Sequence, residues 1–404
     1  MSVHPLYLNL RHLRAVAAIA DHGSISLAAR AENLSQPALT QGVAKLEQRL
    51  GVALFERRAD GVSATEAGQE LASRVAAAFE QLSAATRAIL RGGGRGFTRP
   101  ERLMTSAQIR GFLALADHGS FVAAATATGV SQPALHRAVR DLEGICGIAL
   151  AVRRGQGVAL TDEGRRLARG ARLAVAEIAA GMADLVPDAA GGARIVIGAM
   201  PLCRAFVLPH AIAAFAREGL PAEIDVREGS WRELAEPLRD GTIDMMIGAL
   251  RPEAPAGLEQ RALFKGQLAI IGRDGHPLAG VPDPTPAMLA RYGWIVGAIG
   301  TPLRTQWETL FTGVARPAAP IECGSVMVIR GVLRDSDLLT LLSPDQVALE
   351  IESKVLATIG RPVTQGVRTI GVTTRLGWRP TVSQRRFLDL LDVAATHIGI
   401  PEKQ

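Results

Sequence analysis

A chain of 404 residues exceeds one ordinary core and suits two or three. With no apolar run of about 18 residues and no basic-then-apolar start, it reads as a cytoplasmic protein that does not enter a membrane. Cys146, Cys203 and Cys323 lie too far apart for a metal site or disulfide framework, and the net charge of +6 is confined to residues 1–187: 22 Lys and Arg against 16 Asp and Glu there, 23 of each afterwards, so a polyanionic partner is expected for the first half alone.

In chain order, the first feature is a module that occurs twice. His12 to Ala72 and Gln108 to Ala168 align without a gap at an offset of 96, with 29 identities in 61 positions. Each copy opens on an apolar-periodic segment (Leu13, Val16, Ala17, Ile19; Ile109, Phe112, Leu113, Leu115) that predicts a helix. DHGS follows, at Asp21 to Ser24 and Asp117 to Ser120, where Gly ends that helix and Ser caps the next. An alanine-rich helix leads to Ser35 or Ser131, which caps a third helix whose early Pro lacks only an N–H that would be unpaired there anyway. Three short helices of this kind describe a helix-turn-helix with the third as the DNA reader. Short apolar runs around Arg57–Arg58 and Arg153–Arg154, each with a Gly-containing turn, predict a two-stranded wing. Thr65 and Thr161 then cap long helices running to about Leu90 and to about Leu185, the second stopped by Pro187.

On these residues both copies resemble the N-terminal winged helix-turn-helix and linker helix of LysR-type transcriptional regulators. The shared pattern is SQPAL, then LE, LG, an LFER-like wing and TxxG. Copy 1 keeps it through Leu54, Phe55, Glu56, Arg57, Thr65 and Gly68; copy 2 departs at Gly144, Ile145, Cys146, Ala151 and Val152, which is where its wing packing is expected to differ. The resemblance implies that Ser35, Gln36, Pro37, Thr40, Gln41 and Lys45, and in copy 2 Ser131, Gln132, Pro133, His136, Arg137 and Arg140, face double-stranded DNA. Arg57, Arg58, Arg153 and Arg154 are then phosphate contacts. Gln41 suits adenine and Arg137 guanine, so the copies are expected to prefer different bases, unless one copy only packs against the other.

Members of the family dimerise through antiparallel linker helices. Here RGGGRGFTRPERLM, residues 91–104, spans up to roughly 45 Å when extended, enough for the two linker helices of one chain to pair with each other. The Gly run lacks the preceding strand and following Lys-Ser/Thr of a phosphate loop and reads as a flexible linker.

From Arg194 onward, β-type runs alternate with helical segments, which predicts βαβ units on mostly parallel sheets. This half resembles the two-lobed, periplasmic-binding-protein-like effector domain of the same family; GAMPLCRAFVLPHAI, EGSWRELAEPLRDGTIDMMIGALR, TPLRTQWETLF and TRLGWRPT resemble the galactose-binding-protein regulator subgroup, which implies a sugar or sugar acid as effector. Ligands of open α/β folds bind beyond the carboxyl ends of strands. Those places are Met200, Pro201 and Leu202; Ser230 and Trp231; Ala249, Leu250 and Arg251; Gly300 and Thr301; and Ser325. Ser230, Thr301 and Ser325 are equally expected as plain helix caps, and Arg251 as an anion partner or a surface ion pair.

The expected architecture is thus multidomain: two all-α/winged helix-turn-helix modules with linker helices (8–90 and 105–187) joined by 91–104, then an α/β two-lobed domain at 193–404. Its lobe I is 193–265 with 366–404, and its lobe II is 266–365. The expected partners are promoter DNA, a small-molecule effector, RNA polymerase and further copies of the chain, as dimer or tetramer, with no cofactor, metal or catalytic residue. No GxSxG, HExxH, P-loop or strand-following GxGxxG occurs, so an enzyme is not expected. A plain solute-binding protein would need an export signal and no basic helix-turn-helix.

Overall fold

The computed structural model describes residues 5–58, 61–155, 157–185, 193–220, 222–363 and 366–396. The first head comprises α1 (Leu10–His22), α2 (Ile25–Ala31), α3 (Gln36–Leu50), a wing of β1 (Phe55–Arg58) and β2 (Gly61–Ala64), and the long α4 (Glu66–Arg91). Side-chain oxygens of Asn9, Ser24, Ser35 and Thr65 accept from backbone N–H groups at the four helix starts. The second head repeats this with α5 (Ser106–His118), α6 (Phe121–Thr128), α7 (Gln132–Cys146), β3 (Ala151–Arg154), β4 (Gly157–Leu160) and α8 (Asp162–Leu185). Ser131 holds the cap position of α7 but makes no side-chain cap bond, unlike Ser35. The expected stop at Pro187 lies outside the described residues.

Both wings form, and the letters that recur in the two copies explain why. Glu47 Oε1 accepts from Leu54 N and Phe55 N at 2.8 and 3.2 Å, and Glu143 Oε1 from Leu150 N and Ala151 N at 2.9 and 3.3 Å. Thr65 and Thr161 each donate to a carbonyl before the wing (Ala53 O, Ala149 O) and accept from the N–H of Gly68 or Gly164. In the DHGS turn, Gly23 O and Gly119 O accept from Val62 N and Val158 N, which ties each wing to the end of the first helix. Copy 2's missing Phe is balanced by an exchange of size. Ile25 and Phe55 pack on one core in head 1; at the matching positions head 2 places Phe121 and Ala151.

Helices α4 and α8 pair antiparallel. Gly181 lies against Leu71 and Arg74, Gly170 against Gln81 and Ala85, and Gly92 near Arg166. Leu71, Val75, Leu82 and Ile89 join Leu167, Ala171, Ala174 and Ile178 in a single core that also takes in Leu13 and Leu46 of head 1 and Phe112 and Leu142 of head 2. Each such fully buried Leu or Ile stabilises by about 1.5–3 kcal/mol, so the two heads share one cohesive unit. The linker is seated on it as well: Arg95 N donates to Gly147 O at 3.3 Å and Phe97 N to Ile145 O at 3.1 Å. A Cβ on Gly96 would lie 2.2 Å from Ile145 O, and one on Gly147 2.2 Å from Gly96 N. The glycines that read as a tether, and the departures at Ile145 and Cys146, belong to this close approach.

The C-terminal half has two sheets. Lobe I orders its strands β6 (Ala222–Glu228), β5 (Ala193–Ala199), β7 (Met245–Ala249), β14 (Arg368–Arg375) and β8 (Leu258–Gly266), with helices α9 (Val207–Arg217), α10 (Trp231–Arg239) and α15 (Val382–Thr396). Lobe II orders β11 (Ile321–Glu322), β10 (Trp294–Val296), β12 (Leu339–Leu342), β9 (Ala269–Arg273) and β13 (Leu356–Ile359), with α11 (Pro286–Leu289), α12 (Pro302–Leu310), α13 (Val326–Arg334) and α14 (Ala348–Glu352). The sheets are mixed rather than mostly parallel. β5 runs parallel to β6 and β7, but β14 is antiparallel to β7 and β8; likewise β9 is antiparallel to β12 and β13. β9 and β14 are the strands by which the chain enters one lobe from the other, and that entry sets their direction.

Candidate nucleic-acid interface and effector cleft

On α3, Gln36, Pro37, Gln41 and Lys45 are exposed and Thr40 is half-buried; on α7, Gln132, Pro133, Arg137 and Arg140 are exposed and His136 is half-buried. Arg57, Arg58, Arg153 and Arg154 project from the wings, also exposed. Among the described residues no carboxylate lies within 4.0 Å of any of these arginines or of Lys45, whereas Arg14, Arg74, Arg87, Arg165, Arg166, Arg169 and Arg172 all hold acidic partners. Two expected contact residues are partly committed elsewhere. Thr40 donates its hydroxyl to Gln36 O at 2.9 Å, and the His136 ring stacks on Phe121 with centroids 3.6 Å apart. Ser35 is likewise occupied in capping through Ala38 N. The two readers differ further along: Lys45 of α3 corresponds to Asp141 of α7, which accepts from Gln108 at 3.4 Å, and Ala44 corresponds to Arg140.

His12 of α1 packs flat on Gly42 of the reading helix, where a Cβ would fall 2.6 Å from its ring. Burial, and then the charge of Lys45, hold its pKa below the ordinary 6.5. The folded head therefore resists a proton that the unfolded chain accepts. Its stability is full above pH 6.5 and declines as pH falls through that value toward the lowered one. His12→Gln, the residue copy 2 carries as Gln108, is expected to flatten this decline. Melting temperatures of both proteins across roughly pH 5–8 measure it, and parallel curves would remove His12 as the cause.

In lobe I the carboxyl ends of β5, β6 and β7 lie side by side, bringing Met200, Pro201, Leu202, Ser230, Trp231, Ala249, Leu250 and Arg251 to one edge. In lobe II the ends of β10 and β11 bring Gly300, Thr301 and Ser325 to one edge, with Cys323 N donating to Val296 O at 2.9 Å. The two edges face each other, because Gln346, just beyond the carboxyl end of β12, donates through Nε2 to Pro201 O at 3.4 Å. Ser230 and Thr301 are committed to capping: Ser230 N and Oγ both donate to Glu233, and Thr301 donates to Ala298 O and accepts from Arg304 N. Ser325 makes no such bond and is exposed. The Arg251 guanidinium lies 5.0 Å over the Trp231 ring, with no carboxylate within ion-pair distance among the described residues. Trp294 is core, fully buried with Nε1 donating to Leu289 O. Two of the three thiols are buried and held protonated: burial pushes Cys146 up to about 11 and Cys203 to about 12.

Residues that escaped the sequence reading join the effector domain to the heads. Arg74, 4 % exposed in the middle of α4, reaches Glu70 at 3.0 Å, Glu177 at 3.4 Å, Asp184 at 3.2 Å and the carbonyl of Arg379 at 2.9 Å. Arg379 returns bonds to Ser73 and Glu177, and Val382 N donates to Asp184. At the other end of lobe I, Arg172 of α8 pairs with both Asp117 of head 2 and Asp240 just after α10. Arg74 sits among Leu71, Val75 and Ala78 on the buried face of α4, and a lone cation in an apolar stripe is the signal by which it can be found.

The comparisons with known proteins follow this division. The family described as bacterial regulatory helix-turn-helix protein, lysR family, matches residues 10–69 and again 106–165, and LysR substrate binding domain matches 189–395. The HTH-type transcriptional regulator GalR of Pseudomonas putida is 31% identical over 373 residues, 91% of this chain and 93% of its own. PcaQ of Agrobacterium fabrum is 26% identical over 290 residues, 70% of this chain and 93% of its own. Among solved structures, a full-length OxyR variant of Pseudomonas aeruginosa (20% identity, TM-score 0.55) and ArgP of Mycobacterium tuberculosis (17%, 0.57) share the fold; each is covered to 98% while covering 74% and 73% of this chain. With two LysR helix-turn-helix heads and a LysR effector-binding domain in sequence, the chain is not an enzyme but a member of the LysR family of bacterial transcriptional regulators.

Proposed function

We propose that both heads of this regulator dock on promoter DNA, α3 and α7 in the major groove and the wing arginines on phosphates, while a small effector held between the lobes sets the activity. The observation that carries this reading is the gathering of exposed cations, Lys45, Arg57, Arg58, Arg137, Arg140, Arg153 and Arg154, on the reading helices and the two wings, none with a carboxylate within 4.0 Å among the described residues. Such cations release counterions when they meet phosphate, so log K is expected to fall linearly with log salt, with a slope of about −0.9 per phosphate neutralised. Arg137→Ala is expected to weaken binding to the specific site by about 1–3 kcal/mol and to relax base choice in one half-site. Titrating a selected promoter fragment at several salt concentrations tests both, and a flat salt dependence would refute docking through phosphates. The protein acts in the cytoplasm, beside RNA polymerase, and assembles as a dimer or tetramer of chains.

For the effector the reading is a sugar acid or a related hydroxylated acid. It is supported by the Arg251 cation poised over Trp231 and by the likeness of the strand-end phrases to the galactose-binding-protein regulator subgroup. A ligand at about 100 times its Kd adds about 2.7 kcal/mol to folded-state stability. A thermal-shift panel of neutral sugars, sugar acids and aromatic acids is expected to single out the sugar acids, with the shift abolished by Arg251→Ala. A response confined to aromatic acids would overturn the sugar assignment.

A further inference from the structure

The two linker helices have diverged into complementary halves. At the offset of 96, Arg74 corresponds to Gly170 and Ala85 to Gly181. In the antiparallel pair Arg74 meets Gly181 and Ala85 meets Gly170, so a single crossing occurs twice with knob and hole on fixed sides. A Cβ on Gly170 would fall 2.5 Å from Ala85 Cβ and 3.0 Å from Gln81 O; one on Gly181 would fall 3.0 Å from Arg74 Cβ and Cγ. The charges are divided in the same way. Arg74 on α4 is received by Glu177 and Asp184 on α8, and the positions matching those two acids in copy 1 are Gln81 and Ala88.

Pairing two copies of α4 would therefore set Arg74 against the Ala85 methyl at both crossings and leave each guanidinium with Glu70 alone, a buried charge short of partners. Pairing two copies of α8 would face glycine with glycine and strip Glu177 and Asp184 of Arg74. The linker seated on Ile145 and Gly147 holds the unlike partners within one chain. The helix pair, through which a family member with one head joins its twin, is closed here to a second copy of the same head.

We propose that the DNA target of a chain is an oriented, non-palindromic site: two half-sites in inverted arrangement, as the antiparallel pair dictates, but of unlike sequence and in fixed order. One half is read by Gln41 and Lys45 of head 1, the other by Arg137 and Arg140 of head 2. Gln pairs two-pronged with adenine and Arg with guanine, so the halves differ in base content as well as sequence. This rests on the DNA-binding function proposed above and adds the symmetry of the target to it.

Selection from a randomised duplex library by the full-length protein tests the inference. The expected result is one asymmetric motif. Arg137→Ala is expected to lower affinity about 10- to 100-fold through one half only, and Gln41→Ala to act through the other. A chain carrying copy 1's reading residues in both heads (His136→Thr, Arg137→Gln, Arg140→Ala, Asp141→Lys) is expected to select a palindrome. A palindrome selected by the unaltered protein would overturn the oriented target while leaving DNA binding intact. No enrichment at low salt would overturn both. Gly170→Ala is expected to lower the melting temperature and Ala85→Gly to restore it; without that rescue the knob-and-hole account of the pairing fails.

Discussion

Arg74→Ala is expected to loosen the effector domain from the heads and to cost the helix pair about 3 kcal/mol, near the lower end for breaking a buried ion pair from one side. The lower end applies because Glu177 keeps Arg379 and Asp184 keeps the N–H of Val382. What is lost is one of the two arginines, with Arg379, that tie α4, α8 and the turn before α15 together. Two readouts separate stability from coupling: the melting temperature of the full chain, and limited proteolysis, in which the effector domain is expected to appear as an early fragment. Arg74→Lys keeps the charge but not the planar fork, and is expected to lie between wild type and Ala. An unchanged melting temperature and digestion pattern would show that Arg74 does not hold the domains together and would leave that role to Arg379, Val382 and Arg172.

The second large effect is head-specific. Gly68 and Gly164, the last letters of the two TxxG motifs, sit where a Cβ would fall 1.9 Å from Leu54 O and 2.0 Å from Leu150 O. The obstacle is backbone at the root of the wing and cannot swing aside, so the cost is expected to exceed the roughly 1–3 kcal/mol of ordinary overpacking. Gly68→Ala should erase the half-site of head 1 from a footprint and spare the other; Gly164→Ala should do the reverse. Loss of both halves in each variant would show instead that the heads fold as one indivisible unit through their common core.

Much of this can be read from the letters. The repeat, the caps, both wings and the linker-helix starts follow from local rules, and DHGS and TxxG name turns whose bonds lie within a few dozen residues. The exchange of Ile25 and Phe55 for Phe121 and Ala151 is harder to see, because each change looks like damage until its partner is placed beside it. The linker's seat on α7 is hidden for a similar reason: a glycine run is compatible with freedom and with close contact, and only the neighbouring backbone decides. Strand directions in the lobes depend on pairings more than a hundred residues apart, such as β14 with β8, which periodicity does not report. Among the candidate pocket residues, the hydroxyls of Ser230 and Thr301 are committed to helix starts, while the guanidinium of Arg251 stays available.

Two heads share a single two-lobed domain, docked on both linker helices through Arg379 and Val382 and on head 2 through Asp240 and Arg172. That ratio shapes the dose response. A family member with one head per chain brings two sensing domains to each pair of heads, and their ligands can assist or oppose one another. This chain carries one match to the effector-binding domain, residues 189–395, so ligand titration of an isolated chain at that domain is expected to follow a simple hyperbola, and a steeper curve to report contact between chains.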